Sequence, residues 1–370
     1  MTERRYIANI PGINPDLLSP VDNWNSVPSW LPAERTKIVP CGRNALYLGW
    51  KASGVPEGTG VLIPSFVCTT VSRPLAGAGA DLVFFRIREN GTIDWDDVQR
   101  NMNDSVKAFV WYHYLGCSYE FEEVIDFCRT HNLLLIEDCA HALFARYKEK
   151  PVGTFGDFSV FSIRKSIPAL YSAAVVLNNP EFSFRNVPEE QVLPPKHAAY
   201  LKEREIFLYR QYLQSIDSTK KVDYIPYREH AKKMEPFFRD DTFLYEVDRT
   251  SMLVMHNIDP ETVRRNRHRN FTILLDHLHE IALFDYITPG AAPIGFPVII
   301  NGRDDFRMRL EKEGVESLIH WPDYLLPEGI AEKYPETRSL ADTVLSLPCH
   351  HDMSVEDTEY VCETVKRLLL

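Results

Sequence analysis

Short apolar runs alternate with segments of helical periodicity through the first half of the chain. Four apolar runs of strand length lie at residues 60–66, 81–87, 107–116 and 132–138. Between the last two, apolar residues recur on one face of a helix from Phe121 to Cys128. Strands that alternate with helices predict an α/β fold with a mainly parallel sheet and helices on both faces, in which ligands gather at the carboxyl ends of the strands.

The second half of the chain has a different pattern. A charged helical stretch occupies about residues 188–215, and the aromatic, glycine-free segment 223–246 predicts an irregular connection able to cover a pocket. A long helix over 260–279, strands near 296–300 and a final helix that begins at Ser354 predict a smaller α+β domain.

The length of the chain favours two domains, because 370 residues exceed the size at which a single core usually stops growing. We predict a large α/β domain over residues 1–250 and a small α+β domain over residues 251–370. The first forty residues are rich in proline and predict an irregular arm across the surface of the large domain.

The formal net charge of −11 is spread along the chain, which disfavours nucleic-acid binding. The one dense basic stretch, Arg264 to Arg269, is expected to be a solvated helix face. No apolar run approaches the roughly 20 residues that cross a bilayer, and the start lacks the pattern of a signal peptide. We therefore expect a soluble, cytoplasmic protein without a membrane partner.

The seven cysteines are widely spaced and form no CxxC pair. Neither a disulfide framework nor a metal site is expected. Cys349, His350 and His351 are adjacent, but neighbouring residues of an extended segment point to opposite sides.

Asp138 ends an apolar run, which places it at the carboxyl edge of a central strand, where a carboxylate can face a ligand. It could equally cap a following helix, since aspartate is favoured at that position. His141 would then lie one helical turn away, as a functional residue or as a core histidine.

Lys165 follows another apolar run, residues 159–163. Such a lysine is either a solvated charge that protects the end of a strand or a desolvated amine that attacks an aldehyde cofactor. Gly42 opens a helical segment whose N–H groups suit a phosphate, and Arg43 and Asn44 add donors there. As a single signal, Arg43 could also be a surface residue.

Together these segments resemble the DegT/DnrJ-type sugar aminotransferases, which are fold type I pyridoxal-phosphate enzymes. The resemblance runs from about residue 36 to the C-terminus. Its most specific marker is IEDCAHA (136–142), whose aspartate is followed 27 positions later by Lys165 with VGTFGDFSVFS between them. The other markers are CGRNAL (41–46), GVLIPSF (60–66) and LSLPCHHDMSVEDTEYV (345–361).

The resemblance implies pyridoxal 5'-phosphate as the cofactor. Lys165 would carry it as a Schiff base and move a proton, Asp138 would hold the pyridine nitrogen, and His141 would bond the phenolic oxygen. The phosphate would be held by Gly42, Arg43, Asn44 and Ser162.

The resemblance also implies substrates and a partner. The amino donor would be glutamate or glutamine, and the acceptor a keto sugar, nucleotide-linked, or a related cyclic ketone in glycan or natural-product biosynthesis. Homodimerisation would place the site at a two-fold interface. Ser251 and residues 264–270 are candidates to reach the partner's phosphate site.

Three departures from the family pattern keep alternatives open. Ser162 and Lys165 are three positions apart instead of five, which matches a branch with a shortened S-x-R-K motif. The ring-stacking aromatic aligns near Cys68, so Phe66 or a sulfur contact would take its role. Residues 169–174 replace a glycine-rich stretch. A pyridoxal-phosphate dehydratase or lyase, or a non-catalytic ligand-binding relative, are the competing hypotheses.

Substrate recognition is the least defined feature of the sequence. His320, Trp321 and Tyr324 are candidates to line the substrate pocket, where the aromatic rings could stack on a sugar or a nucleobase. They could equally fill the join between the two domains.

Overall fold

The structure, a computed structural model, describes residues 5–184, 188, 190–191, 193–217, 229, 232, 244–322 and 325–370. Its strands are β1 (Thr36–Val39), β2 (Thr59–Pro64), β3 (Ala80–Phe85), β4 (Val106–Tyr112), β5 (Leu134–Asp138), β6 (Arg146–Tyr147), β7 (Lys150–Pro151), β8 (Phe158–Phe161), β9 (Ala173–Leu177), β10 (Gly295–Ile299) and β11 (Val344–Pro348).

Helices surround these strands. In the part of the chain that the structure describes they are α1 (Gly42–Ser53), α2 (Thr69–Gly77), α3 (Trp95–Asn101), α4 (Phe121–His131), α5 (Ile163–Ser166), α6 (Pro195–Ile216), α7 (Arg249–Asn257), α8 (Pro260–Leu278), α9 (Arg303–Lys312), α10 (Ile330–Lys333), α11 (Pro335–Thr343) and α12 (Val355–Leu369). None of these described helices is long and apolar enough to cross a membrane.

A seven-stranded sheet forms the centre, in the order β1-β9-β8-β5-β4-β2-β3. The four pairings from β8 to β3 are parallel, whereas β9 runs antiparallel to both of its neighbours. Two antiparallel pairings in succession return β1 to the direction of the parallel strands. The carboxyl ends of β1, β2, β5 and β8 therefore meet at one edge of the sheet, and the predicted mainly parallel α/β fold is confirmed.

The central strands are apolar on both faces because helices cover both faces of the sheet. Every residue of β2, β8 and β9 is buried. Their valine, isoleucine, leucine and phenylalanine side chains belong to the largest core of the molecule or to the cores beside it.

A second core lies in the C-terminal part of the chain. It packs α8, α9 and α12 against the antiparallel pair β10–β11, and it also contains Ile7 from the N-terminal arm. The capping box predicted at Ser354 is confirmed, since Ser354 Oγ accepts the backbone N–H of Asp357 and Asp357 Oδ2 accepts that of Ser354. The domain border at residue 250 stays a prediction.

Two sequence expectations need correction. The Pro-rich arm is not wholly irregular, because its end forms β1, which pairs with β9 at the edge of the sheet. The helix expected from residue 188 begins at Pro195, where the missing N–H and fixed φ of proline suit the first turn. Most of segment 223–246 lies outside the described residues.

Candidate functional site

A cavity of about 490 Å³ lies at the carboxyl ends of β5 and β8. The first turns of α1 and α2 contribute to its wall, as do α9 and residues 317–322 from the C-terminal part of the chain. Its charged wall residues are Arg43, Arg164, Lys165, Lys232, Arg303 and Arg307 with Asp138 and Asp304. This excess of cations favours an anionic ligand.

Asp138 is the last residue of β5 and is 1% exposed. Its Oδ1 accepts a 2.9 Å hydrogen bond from the backbone N–H of Ala140. Burial raises the pKa of this carboxyl to about 6, against the opposing effects of the Ala140 N–H, Lys165 and His113. No helix follows Asp138, since residues 140–141 and 143–144 form turns, so the alternative that Asp138 caps a helix is wrong. The carboxylate instead lines the cavity.

His141 and Lys165 meet inside the cavity, with 3.2 Å between Lys165 Nζ and His141 Nε2. The imidazole of His141 is buried, and its pKa is lowered well below the ordinary value by burial and then by Lys165 and His320. A neutral imidazole can accept a hydrogen bond from the ammonium group at Nε2. His141 Nδ1 is buried without a hydrogen-bond partner among the described residues.

Lys165 lies in the single turn α5, directly after β8. Its side chain is half-buried and lines the cavity, so it is not a solvated charge at a strand end. The structure thus brings Asp138, His141 and Lys165 to one edge of the sheet, although the last follows the first by 27 positions in the sequence.

The start of α1 faces Ser162. A Cβ added at Gly42 would lie 3.7 Å from Ser162 Cβ and 4.0 Å from Ser162 Oγ, so a larger side chain would fill the space between them. Cys41 precedes the helix without a side-chain cap, and its Sγ donates to Asn44 Oδ1 at 3.0 Å. The positive end of the helix and the Ser162 hydroxyl lie in the cavity wall together with Arg43, and this cradle suits a phosphate group.

Cys68 and Phe66 occupy different places. Cys68 precedes α2 and lines the cavity, whereas Phe66 is absent from the described cavity wall. The Phe66 ring packs edge to face against Trp321, with 5.0 Å between ring centroids. Of the two residues, the cysteine lines this cavity and the phenylalanine does not. Both assignments stay predictions.

His320 and Trp321 both line the cavity, whereas Tyr324 lies outside the described residues. Trp321 stacks on the His141 ring, with a centroid distance of 6.0 Å and an interplanar angle of 20°. Its edge contact with Tyr112, at 5.5 Å, buries it in the main core. Burial, followed by the nearby Lys165, lowers the pKa of His320 to about 3.

Glu137, the neighbour of Asp138, has its side chain in a separate polar network. Its oxygens accept the backbone N–H groups of Gly153, Phe155 and Gly156, and Oε2 lies 3.2 Å from His113 Nε2. Cys139 is close enough to complete a metal-sized cluster with Glu137 and His113. Burial raises the pKa of that thiol, which disfavours the thiolate a metal needs, and Glu137 is already hydrogen-bonded. We therefore interpret Glu137 as a residue that anchors the loop 153–156, and not as a metal ligand.

The expectation that Arg264 to Arg269 form a solvated helix face is wrong at Arg267, which is 1% exposed. The helical periodicity of α8 is the sequence feature that indicates this burial. Arg267 falls on the same face as the buried Val263, Phe271 and Leu274. A charge on the apolar face of a helix indicates a specific internal partner.

Ser251, a candidate to reach a partner subunit, is fully buried within its own chain. Its Oγ accepts the Leu170 N–H at 2.9 Å and donates to Asp248 Oδ2 at 2.7 Å. These contacts stabilise the segment after Lys165, where the glycine-rich stretch is missing.

A family model described as the DegT/DnrJ/EryC1/StrS aminotransferase family matches residues 37–183 and 256–366. Among curated proteins, GDP-perosamine synthase of Vibrio cholerae is 34% identical over 153 residues, which cover 40% of this chain and 42% of the relative. The match thus spans about two fifths of the length of that relative.

Solved structures of two proteins share the fold over most of this chain. PseC of Helicobacter pylori, an aminotransferase involved in the biosynthesis of pseudoaminic acid, has a TM-score of 0.69 at 15% identity and covers 98% of this chain and 99% of its own. The GDP-4-keto-6-deoxy-D-mannose-3-dehydratase of E. coli with bound hydrated PLP has a TM-score of 0.65 at 17% identity, covering 89% and 87%.

Proposed function

The chain belongs to the DegT/DnrJ/EryC1/StrS aminotransferase family, and from this premise we propose that it is a pyridoxal-phosphate-dependent aminotransferase of sugars. The observation that carries the proposal is the convergence of Lys165, His141 and Asp138 in one cavity, with Lys165 Nζ 3.2 Å from His141 Nε2. A non-catalytic relative has no need to keep an amine, a neutral imidazole and a buried carboxylate together.

The residues of the cavity fit the cofactor. The cradle formed by Gly42, Arg43 and Ser162 suits its phosphate. Asp138 suits its pyridine nitrogen because a carboxyl with a pKa of about 6 is still mostly ionised at neutral pH. Nε2 of His141 is the ring nitrogen that faces the reactive amine, since it lies 3.2 Å from Lys165 Nζ. When bound, pyridoxal phosphate supplies an electron sink for the substrate carbon that loses a proton.

Each side chain then has a distinct task. Asp138 would hold the proton on the pyridine nitrogen through its negative charge. Lys165 Nζ would move a proton between the substrate carbon and the cofactor carbon. His141 Nε2 orients Lys165 Nζ, and the stacked Trp321 ring keeps that imidazole in place while it excludes water.

We infer an amino donor such as glutamate or glutamine and a nucleotide-linked keto sugar, or a related cyclic ketone, as acceptor. The name of the Vibrio cholerae relative supports a nucleotide-linked sugar. The cationic wall residues support an anionic substrate, because Arg303 and Arg307 of α9 face the same cavity as Lys165.

The test is a visible absorbance titration of the purified protein with pyridoxal phosphate, followed by addition of L-glutamate. We expect a cofactor band that appears on binding, changes when glutamate is added, and is lost in Lys165→Ala. A matched control is Lys51→Ala, because Lys51 is an exposed lysine at the end of α1 and should leave the band unchanged. A spectrum unaltered by the cofactor would contradict the proposal.

We further propose a homodimer. Helix α6 supports this with exposed apolar side chains on one face, spaced three and four residues apart. They are Ile206, Tyr209, Leu213 and Ile216. Sedimentation equilibrium should give twice the 42.7 kDa of one chain, and a mass of one chain at micromolar concentration would contradict it.

A further inference from the structure

Arg267 is a buried cation outside the chemistry described so far. It lies in the middle of α8 and is 1% exposed, among the apolar side chains of that helix face. Burial lowers the pKa of its guanidinium to about 10, so the group remains charged at neutral pH. A buried charge is costly unless its hydrogen bonds are well made.

The guanidinium binds backbone carbonyls from three separate segments. Nη2 donates to Ser166 O at 2.6 Å, and Nη1 donates to Pro293 O at 2.7 Å and to Cys349 O at 3.5 Å. Ser166 is the residue after Lys165 and the last residue of α5. The bond of 2.6 Å therefore holds the turn that carries the reactive amine.

The segment around Pro293 connects Arg267 to the other side of the cavity. Ala292 N–H donates to Gly116 O, and Ile294 N–H donates to Leu115 O. Gly116 in turn lies against the backbone of His141, since an added Cβ would come within 2.8 Å of His141 O. One guanidinium thus ties the Lys165 turn to the segment that supports His141.

This arrangement needs a planar guanidinium group, whose N–H donors diverge from one rigid plane. Two donors that diverge from one rigid group can reach Ser166 O and Pro293 O at the same time, whereas a lysine ammonium is a single point at the end of a flexible stem. Because all three acceptors are backbone carbonyls, the contact constrains chain position directly.

We propose that Arg267 is a positioning residue for Lys165, which fixes the short turn α5 so that Nζ lies beside His141. The inference rests on the proposed function, because it assigns a purpose to the placement of this amine. It predicts that the reactivity of Lys165 depends on a side chain that does not line the cavity.

The experiment compares wild type with Arg267→Lys, Arg267→Gln and the matched control Arg269→Lys. Arg269 lies on the same helix and donates to Met353 O at 2.8 Å, away from the lysine turn. Acetylation of Lys165 by acetic anhydride is followed against pH by peptide mass spectrometry in the cofactor-free protein. Capture of pyridoxal phosphate on Lys165 with borohydride, and binding of pyridoxamine phosphate, which has no aldehyde, are measured in parallel.

Both Arg267 variants should shift the midpoint of the Lys165 acetylation profile by half a pH unit or more from that of the wild type, because Nζ would leave its place beside His141. Capture should slow by tenfold or more, while the Kd for pyridoxamine phosphate stays within threefold and Arg269→Lys changes neither. Circular dichroism identifies variants that fold, and Arg267→Lys decides the question if Arg267→Gln does not fold.

An unshifted acetylation profile in a folded Arg267 variant would overturn the inference, as would an equal loss of capture and of pyridoxamine phosphate binding. A shifted profile in a protein whose wild type captures no pyridoxal phosphate would overturn the proposed function and leave the positioning role standing.

Discussion

Glu137 and Asp138 are consecutive carboxylates on β5 with opposite environments. The side chain of Glu137 points away from the cavity and is saturated by three backbone N–H groups and His113. The side chain of Asp138 lines the cavity and accepts a hydrogen bond from the backbone N–H of Ala140. Both side chains are almost fully buried, at 0% and 1% exposure.

The contrast shows that burial alone does not distinguish an anchor from a reactive group. Alternation along a strand sends neighbouring residues to opposite faces of the sheet. On one face of the sheet, N–H groups of the loop 153–156 complete the hydrogen bonding of the Glu137 carboxylate. On the other face, the Asp138 carboxylate keeps hydrogen-bonding capacity for a ligand. Its pKa is raised to about 6 because burial outweighs the opposing effects of the Ala140 N–H, Lys165 and His113.

The largest expected effect is the loss of amino transfer when Lys165, which lines the cavity, is removed. Lys165→Ala should reduce amino transfer by on the order of 10⁴-fold or more, since it removes the nucleophile and the proton carrier together. The rate of glutamate-dependent transfer measures this loss. Urea unfolding should show that the variant is folded, and a residual rate above one tenth of wild type would contradict the assignment.

Asp138→Asn should reduce amino transfer by about 10²–10³-fold, since it removes a charge that acts on the reacting system. Its stability should change in the opposite direction. The folded-state pKa of about 6 lies above the ordinary value of 3.8, so the folded protein binds this proton more tightly than the unfolded chain. The resulting stability is complete below pH 3.8 and is lost as the pH rises through 6.

The side chain of Asp138→Asn does not ionise, so this variant does not lose stability at this position as the pH rises. At pH 7 the free energy of unfolding of Asp138→Asn should exceed that of the wild type by up to about 3 kcal/mol, and at pH 4 the two should be similar. Urea unfolding of the cofactor-free proteins at both pH values gives the comparison. A variant less stable than wild type at pH 7 would make Asp138 an anchor like Glu137.

Glu137→Gln should lower the free energy of unfolding by about 3 kcal/mol, because an amide NH₂ would face backbone N–H groups that need an acceptor. Urea unfolding measures the change. Glu122→Gln is the control, since Glu122 pairs with Lys148 at the exposed surface and should produce no measurable change. Wild-type stability in Glu137→Gln would show that the loop does not depend on this carboxylate.

The smallest effect is expected from Ser251→Ala. Loss of the acceptor for the Leu170 N–H should cost about 1–2 kcal/mol of unfolding free energy. Cofactor affinity should stay within about threefold, because the hydroxyl is used inside its own chain. A loss of affinity by tenfold or more in titrations would instead support the earlier candidate role of Ser251 at a partner's phosphate site.

Part of this picture followed from sequence alone. Asp138 and Lys165 each follow an apolar run, and parallel strands bring their carboxyl ends to one edge, so their meeting was predictable from order and spacing. The glycine at the start of α1 and the capping box at Ser354 are local features, which can be predicted without knowledge of tertiary contacts.

Other features depended on distant partners. Arg267 is buried because carbonyls of Ser166, Pro293 and Cys349 converge on it, and the first of these lies 101 residues away. Strand β1 exists because β9 offers an edge, although the surrounding arm is rich in proline. The stacking of Trp321 on His141 likewise depends on tertiary structure. The sequence indicated it only through a short aromatic cluster.

The most direct test of amino transfer follows ¹⁵N from labelled glutamate to a nucleotide-linked keto sugar by mass spectrometry of the sugar. Wild type and Lys51→Ala should yield an aminated sugar that carries the label, and Lys165→Ala should yield none. Conversion of the sugar without incorporation of ¹⁵N when labelled glutamate is present, together with the same conversion when no amino donor is added, would contradict amino transfer and make the protein a dehydratase or lyase.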